Sequence, residues 1–173
     1  IVGNLQMIAS RNADPIRSVV VSVTRFQAGS SHNIIPNEAL IAGTVRSLDE
    51  TVRDLAQDRI KQMAEGIALA NGAEADVVYE RYCPVTFNHA AETDHAIRVA
   101  RDVAGEPNVD PDVDPSMAGE DFSFMLKERP GCFIFIGNGD SAGLHNPGYD
   151  FNDEAIAYGI SYWVKLAEQR LTS

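Results

Sequence analysis

A chain of 173 residues, 45% apolar and 23% charged, is long enough to bury an ordinary core as one large or two small globular domains. Its formal net charge of -11 repels a phosphate backbone and an anionic bilayer, both of which need clustered Lys and Arg, so nucleic acid and membrane are excluded as partners. Cys83 and Cys132 stand far apart in or beside apolar runs and read as buried free thiols of a reducing compartment; without a basic-then-apolar leader or an apolar stretch of spanning length, a cytoplasmic location is expected.

Ile1, Leu5 and Ile8 recur at helical spacing from the first residue, with no capping residue ahead of them, so the chain reads as a fragment that begins inside an element. SVVVSVTRF and EALIAGTVRS are β-branched runs joined by a Gly, Ser, His, Asn and Pro connection, which predicts a hairpin with a long loop. Residues 50–71 place Val52, Leu55, Ala56, Ile60, Met63, Ala64 and Ile67 on one stripe, a helix stopped at Asn71 and Gly72. ADVVYERYC then reads as a strand. Helix, strand, strand, helix, strand is the ferredoxin-like βαββαβ order without its first strand.

Past CPVTFN the pattern changes. HAIRVARDVAG predicts a helix closed by Gly105, EPNVDPDVDP an acidic Pro-rich connection, and EDFSFMLKER a short helix opened by two acids that suit its dipole. GCFIFIG is a candidate for a fully buried strand, and residues 153–170 for a long final helix. The fold class is therefore α/β with an α+β first part, divided at residues 1–84 and 85–173. In an α/β sheet ligands gather beyond the carboxyl ends of strands, and LHNPGYDFND puts His145 in such a loop. A single His without partners at ligand spacing is a weak metal signal, and a loop histidine bonded to nearby backbone explains it equally.

GSSHNIIPNEALIAGTVRS, PSMAGEDFSFML and PGCFIFIGNGDSAGLHNPGYDFND, in that order, resemble the carboxyl-terminal half of the metal-dependent amidohydrolases, the family of hippurate hydrolase, the auxin-conjugate hydrolases and the aminoacylase-like peptidases. The resemblance runs along essentially the whole chain. It implies a catalytic α/β domain interrupted by a ferredoxin-like lid or dimerisation domain, with residues 1–84 as most of the lid and 85–173 as the end of the catalytic domain. It also implies two divalent ions (Zn, Mn, Co or Ni), a small-molecule N-acyl amino acid substrate whose amide bond is hydrolysed by a metal-activated water, and a homodimer through the lid.

His145 becomes, by this resemblance, a ligand to one metal. The other ligands and the general-base Glu are expected upstream, so no catalytic base lies in this chain and the chain alone is expected to be inactive. His32 and Asn33 are candidate oxyanion donors reaching across from a neighbouring lid, against the plainer reading of a turn-shaping Asn and a solvated His. Arg46 either clamps a substrate carboxylate or pairs with an acid. Glu120 is a candidate for a role beside the substrate, against simple capping with Asp121. His89 and His95 read as surface residues, Asp150 as a possible orienter of His145, and Asp153 as the cap of the last helix. Two non-catalytic readings stand beside the enzyme: a dimerisation module and a small-ligand-binding ferredoxin-like domain.

Overall fold

Val19–Ala28 (β1) and Ala39–Ser47 (β2) pair antiparallel, from Val19 opposite Ser47 to Ala28 opposite Ala39. The register slips between Val23 opposite Gly43 and Arg25 opposite Ala42, leaving Thr24 as the extra residue of a bulge. The bulge presses β1 onto its partner, and a Cβ at Gly43 would overlap the Ser22 carbonyl oxygen. The Gly of GTVRS is thus a close-approach residue.

The structure, a computed structural model, describes residues 1–171. They form two compact units, residues 1–86 with 115–121, and residues 87–114 with 122–171. The class is mixed α/β, with one small antiparallel sheet among the described residues.

In the first unit, Val2–Met7 (α1) runs into a π-helical turn at Ile8–Asn12, and Glu50–Ala70 (α2) lies after the hairpin. Leu5 and Ile8 pack with Val19 and Val21 of β1 and with Val52 and Ala56 of α2. Val20, between the two inward valines, is exposed, the period of two that a half-buried strand requires. Burying each large apolar side chain here contributes about 1.5–3 kcal/mol. Asp49 starts α2 by accepting from the N–H groups of Thr51 (2.8 Å) and Val52 (3.2 Å), and Asn71 ends it.

The strand expected at ADVVYERYC forms no ladder with β1 or β2. Ala75, Val77 and Tyr79 are half-buried while Asp76, Val78 and Glu80 are exposed, so the alternation is real. The segment is held by side chains of α2 instead. Arg81 reaches Asp54 at 2.6 Å and Gln57 at 2.7 Å, Arg53 donates to the Cys83 carbonyl at 3.1 Å, and Glu50 accepts from the Val85 N–H at 3.0 Å.

In the second unit, Ala90–Ala104 (α3) and Glu154–Leu171 (α5) share a core of Ala96, Val99 and Tyr162, with Cys132, Ile134 and Leu166 packed around it. Gly105 closes α3, and Phe122–Glu128 (α4) is the short helix after the two acids. GCFIFIG is not the fully buried strand expected: Cys132 to Ile134 are half-buried, and Phe135 and Ile136 are 66% and 50% exposed. Its backbone is held instead by the residues that lead into α3. The Asn88 carboxamide accepts from the Phe133 N–H at 2.7 Å and donates to the Phe133 carbonyl at 2.8 Å, standing in for a neighbouring strand, while the His89 N–H donates to the Gly131 carbonyl at 3.0 Å. Cys83 and Cys132 are free thiols, half-buried. No helix among the described residues is long and apolar enough to cross a membrane.

Candidate functional site

The His145 loop leaves GCFIFIG at Gly137 and returns at α5. Asn138 holds its two ends. The Asn138 amide donates to the Asp150 carbonyl at 2.7 Å and the Ser141 hydroxyl at 2.9 Å, and its Oδ1 accepts from the Asn152 N–H at 2.7 Å. Inside this clamp the Asn146 N–H donates to the Gly143 carbonyl (3.2 Å), and Asn146 Oδ1 accepts from the Gly148 N–H (2.8 Å). His145 sits at φ 65°, the one non-glycine residue with positive φ among the described residues. Backbone of this kind costs of order 1 kcal/mol and persists where its surroundings impose it, often at functional sites. The imidazole is exposed and makes no hydrogen bond among the described residues.

Two readings of this loop need correction. Asp150 makes no hydrogen bond to the imidazole among the described residues; it takes part in the loop through its backbone carbonyl, which accepts from Asn138. The cap of α5 is Asn152, whose Oδ1 accepts from the Glu154 N–H at 3.0 Å, rather than Asp153. Asn138 and Asn152 were missed because an Asn in a Gly- and Asp-rich stretch signals a turn without saying which turn it closes.

In the first unit, the β1–β2 connection carries His32 and Asn33 at its exposed tip. The Ser31 hydroxyl donates to Asn33 Oδ1, and Nδ2 of the same amide has no hydrogen-bond partner among the described residues. Arg46, on β2 opposite Val20, has no hydrogen-bond or ion-pair partner among the described residues, and its Nη1 rests on the backbone of Gly119. The acid pairing weighed for Arg46 is therefore not formed. Glu120 is half-buried and already engaged, just ahead of α4. His32, Asn33, Arg46 and Glu120 thus belong to one unit and His145 to the other.

His89 and His95 are not plain surface residues. His89 Nδ1 accepts from the Gly131 N–H at 3.2 Å. His95 lies on α3 with Nε2 buried and unpartnered; that burial, with Arg170 and Arg98 nearby, holds its pKa below the ordinary imidazole range. Two open hollows on this unit, about 440 and 550 Å³, are lined by residues of α3, α5 and the turn at Glu106, and contain none of the candidate site residues.

Among the described residues no group of three or more His, Cys, Asp or Glu is placed to hold a metal ion. Stable zinc-type coordination takes three or four protein ligands. His145 fits such a centre as one donor, with an imidazole uncommitted to any partner among the described residues, which do not themselves supply a whole centre.

The model of peptidase family M20/M25/M40 matches residues 3–169. The chain belongs to that family. It is 41% identical over 163 residues to the hippurate hydrolase of Campylobacter jejuni, covering 94% of this chain and 43% of that protein. It is 33% identical over 167 residues to the N-acetylcysteine deacetylase of Bacillus subtilis, covering 96% of this chain and 43% of that one. In structure it is similar to the Bacillus subtilis YXEP protein, described as a dinuclear metal binding peptidase from the M20 family, with a TM-score of 0.79 and 30% identity over 99% of this chain and 44% of that one. This M20-family chain therefore spans less than half the length of these relatives.

Proposed function

We propose that the chain carries part of the active site of a metal-dependent amidohydrolase that splits N-acyl amino acids, hippurate-like compounds among them, into a carboxylic acid and an amino acid. The observation that carries this is His145, held in a left-handed conformation by the Asn138-clamped loop with its imidazole uncommitted. A strained backbone that leaves a good ligand free serves a ligand rather than packing. The family membership and the relatives' hydrolase names support the reading.

In this reading two divalent ions (Zn, Mn, Co or Ni), when bound, acidify a water and polarise the amide carbonyl. His145 supplies one imidazole to them, and the remaining ligands and the Glu base come from the other half of the polypeptide, so this chain alone is inactive. Asn33, its Oδ1 occupied by Ser31, presents Nδ2 with His32 to the oxygen on which negative charge develops. The Arg46 fork takes the carboxylate of the amino acid, and Glu120 stands beside it. Residues 1–84 form most of a ferredoxin-like lid through which the enzyme dimerises in the cytoplasm.

The test uses the full-length protein. His145→Ala should lower the bound metal per subunit and abolish hydrolysis of N-benzoylglycine while leaving the thermal unfolding of the metal-free protein unchanged, because an exposed loop residue holds no core. Unchanged metal content and rate would sink the assignment.

A further inference from the structure

GTVRS and MAGEDF lie far apart in the sequence, yet the structure stacks the tip of one on the backbone of the other. A Cβ built on Gly119 would stand 2.8 Å from Arg46 Nη1 and 3.9 Å from Arg46 Cζ, and would meet no other heavy atom within 4 Å. Gly119 has no positive φ, so its backbone accepts any L residue. The conformation does not require the missing side chain; the guanidinium does.

Arg46 is thereby braced at both ends. Its Cα is fixed in the paired strand β2, opposite Val20, and its tip lies against Gly119. No hydrogen bond or ion pair among the described residues holds the guanidinium, so the space left by the missing Cβ of Gly119 is what admits its tip at this position. A planar fork that binds a carboxylate through two parallel hydrogen bonds is sensitive to where its tip sits.

We propose that Gly119 is a positioning residue and sets specificity: the bare backbone there fixes the depth at which Arg46 receives the carboxylate of the substrate. This rests on the reading, proposed above, that Arg46 binds that carboxylate. Any side chain at 119 pushes the guanidinium away from its seat, by about 0.6 Å for a single methyl group if contact is to return to the 3.4 Å of ordinary packing. Losing one of two charge-assisted hydrogen bonds to a carboxylate costs on the order of 10-fold in binding, so Gly119→Ala should raise KM by about that much.

The experiment is steady-state kinetics of the full-length protein with N-benzoylglycine and with N-benzoylglycinamide, which lacks the carboxylate. Gly119→Ala should raise KM for the acid about 10-fold with kcat within about twofold, and leave kinetics with the amide and the thermal unfolding midpoint unchanged. Arg46→Ala should raise the same KM, and the double variant should be no worse than Arg46→Ala, since a displaced guanidinium cannot matter once it is gone. If Arg46→Ala raises KM and Gly119→Ala does not, the seat is refuted while the carboxylate role of Arg46 stands. If Arg46→Ala leaves KM unchanged, the carboxylate role fails and the seat with it. A Gly119→Ala effect that persists undiminished in the Arg46→Ala background, or a lowered unfolding midpoint, would also overturn the proposal, because Gly119 would then act through something other than Arg46.

Discussion

Removing Asn138 should loosen the His145 loop without touching a core. Asn138→Ala deletes three hydrogen bonds, to the Asp150 carbonyl, the Ser141 hydroxyl and the Asn152 N–H. At about 1 kcal/mol net each they sum to about 3, but Ser141, Asp150 and Asn152 are all exposed, so water replaces part of each bond and the loss should be about 1–2 kcal/mol. That corresponds to a 5- to 30-fold rise in local opening. Hydrogen exchange of the Asn152 amide should accelerate by that factor, while amides of α3 exchange as before. Asn138→Asp keeps the acceptor for Asn152 but sets a carboxylate against the Asp150 carbonyl, and should open the loop at least as far as Asn138→Ala. If His145 is the metal ligand proposed above, the same substitutions in the full-length protein should also weaken metal binding, because the loop that presents the imidazole opens more often. An Asn152 amide that exchanges at the unaltered rate in Asn138→Ala would refute the clamp.

Gly43→Ala, which drives a methyl group into the Ser22 backbone, should destabilise the first unit by about 1–3 kcal/mol or more, read as a lower midpoint in denaturant unfolding. Asp49→Ala should lower the same midpoint by uncapping α2. The Asp49 carboxyl is held below the usual range by its hydrogen bonds from the Thr51 side chain and the Val52 N–H, so the capping contribution is complete above the unfolded-state value of about 4 and lost as pH falls through the lower folded-state value; the wild-type advantage over Asp49→Ala should shrink in that acid window. His95 titrates the other way in sign of charge. Buried beside Arg170 and Arg98, it takes up its proton less readily folded than unfolded, so the unfolded state binds more protons below about pH 6.5 and stability should fall as pH drops from there to the depressed folded-state value. His95→Gln should flatten that part of the pH–stability curve, and an unchanged slope would contradict the assignment.

Much of this fold is legible in the residues because periodicity reports which face is buried. The stripe read on residues 50–71 contains Val52, Ala56 and Ala64, three of the four buried residues of α2, and the stop at Asn71 is where the helix ends. Leu5 and Ile8 are buried as their spacing requires, although the turn at Ile8 widens to π, which no spacing of apolar residues reveals. ADVVYERYC and GCFIFIG show the limit. β-branched and aromatic runs encode an extended backbone, whereas a strand also needs a neighbour, and here side chains of α2, Asn88 and His89 take the neighbour's place. In the site, His145 is visible as a residue type in a loop, but its left-handed backbone and the amide that imposes it depend on hydrogen bonds between residues up to 14 apart. The contact of Arg46 with Gly119 depends on a chain return that no local pattern announces.

That return bears on how the protein is made. Residues 115–121 belong with residues 1–86, although residues 87–114, made in between, belong elsewhere. A ribosome adding roughly 5–20 residues per second reaches residue 121 about 2–7 s after residue 86. For that interval the hairpin and α2 exist without the segment that meets Arg46, so the strands can pair and the helix can be capped before residues 115–121 arrive. Truncation at the apparent boundary near residue 86 would preserve this unfinished species permanently: a folded sheet and helix whose Arg46 swings free.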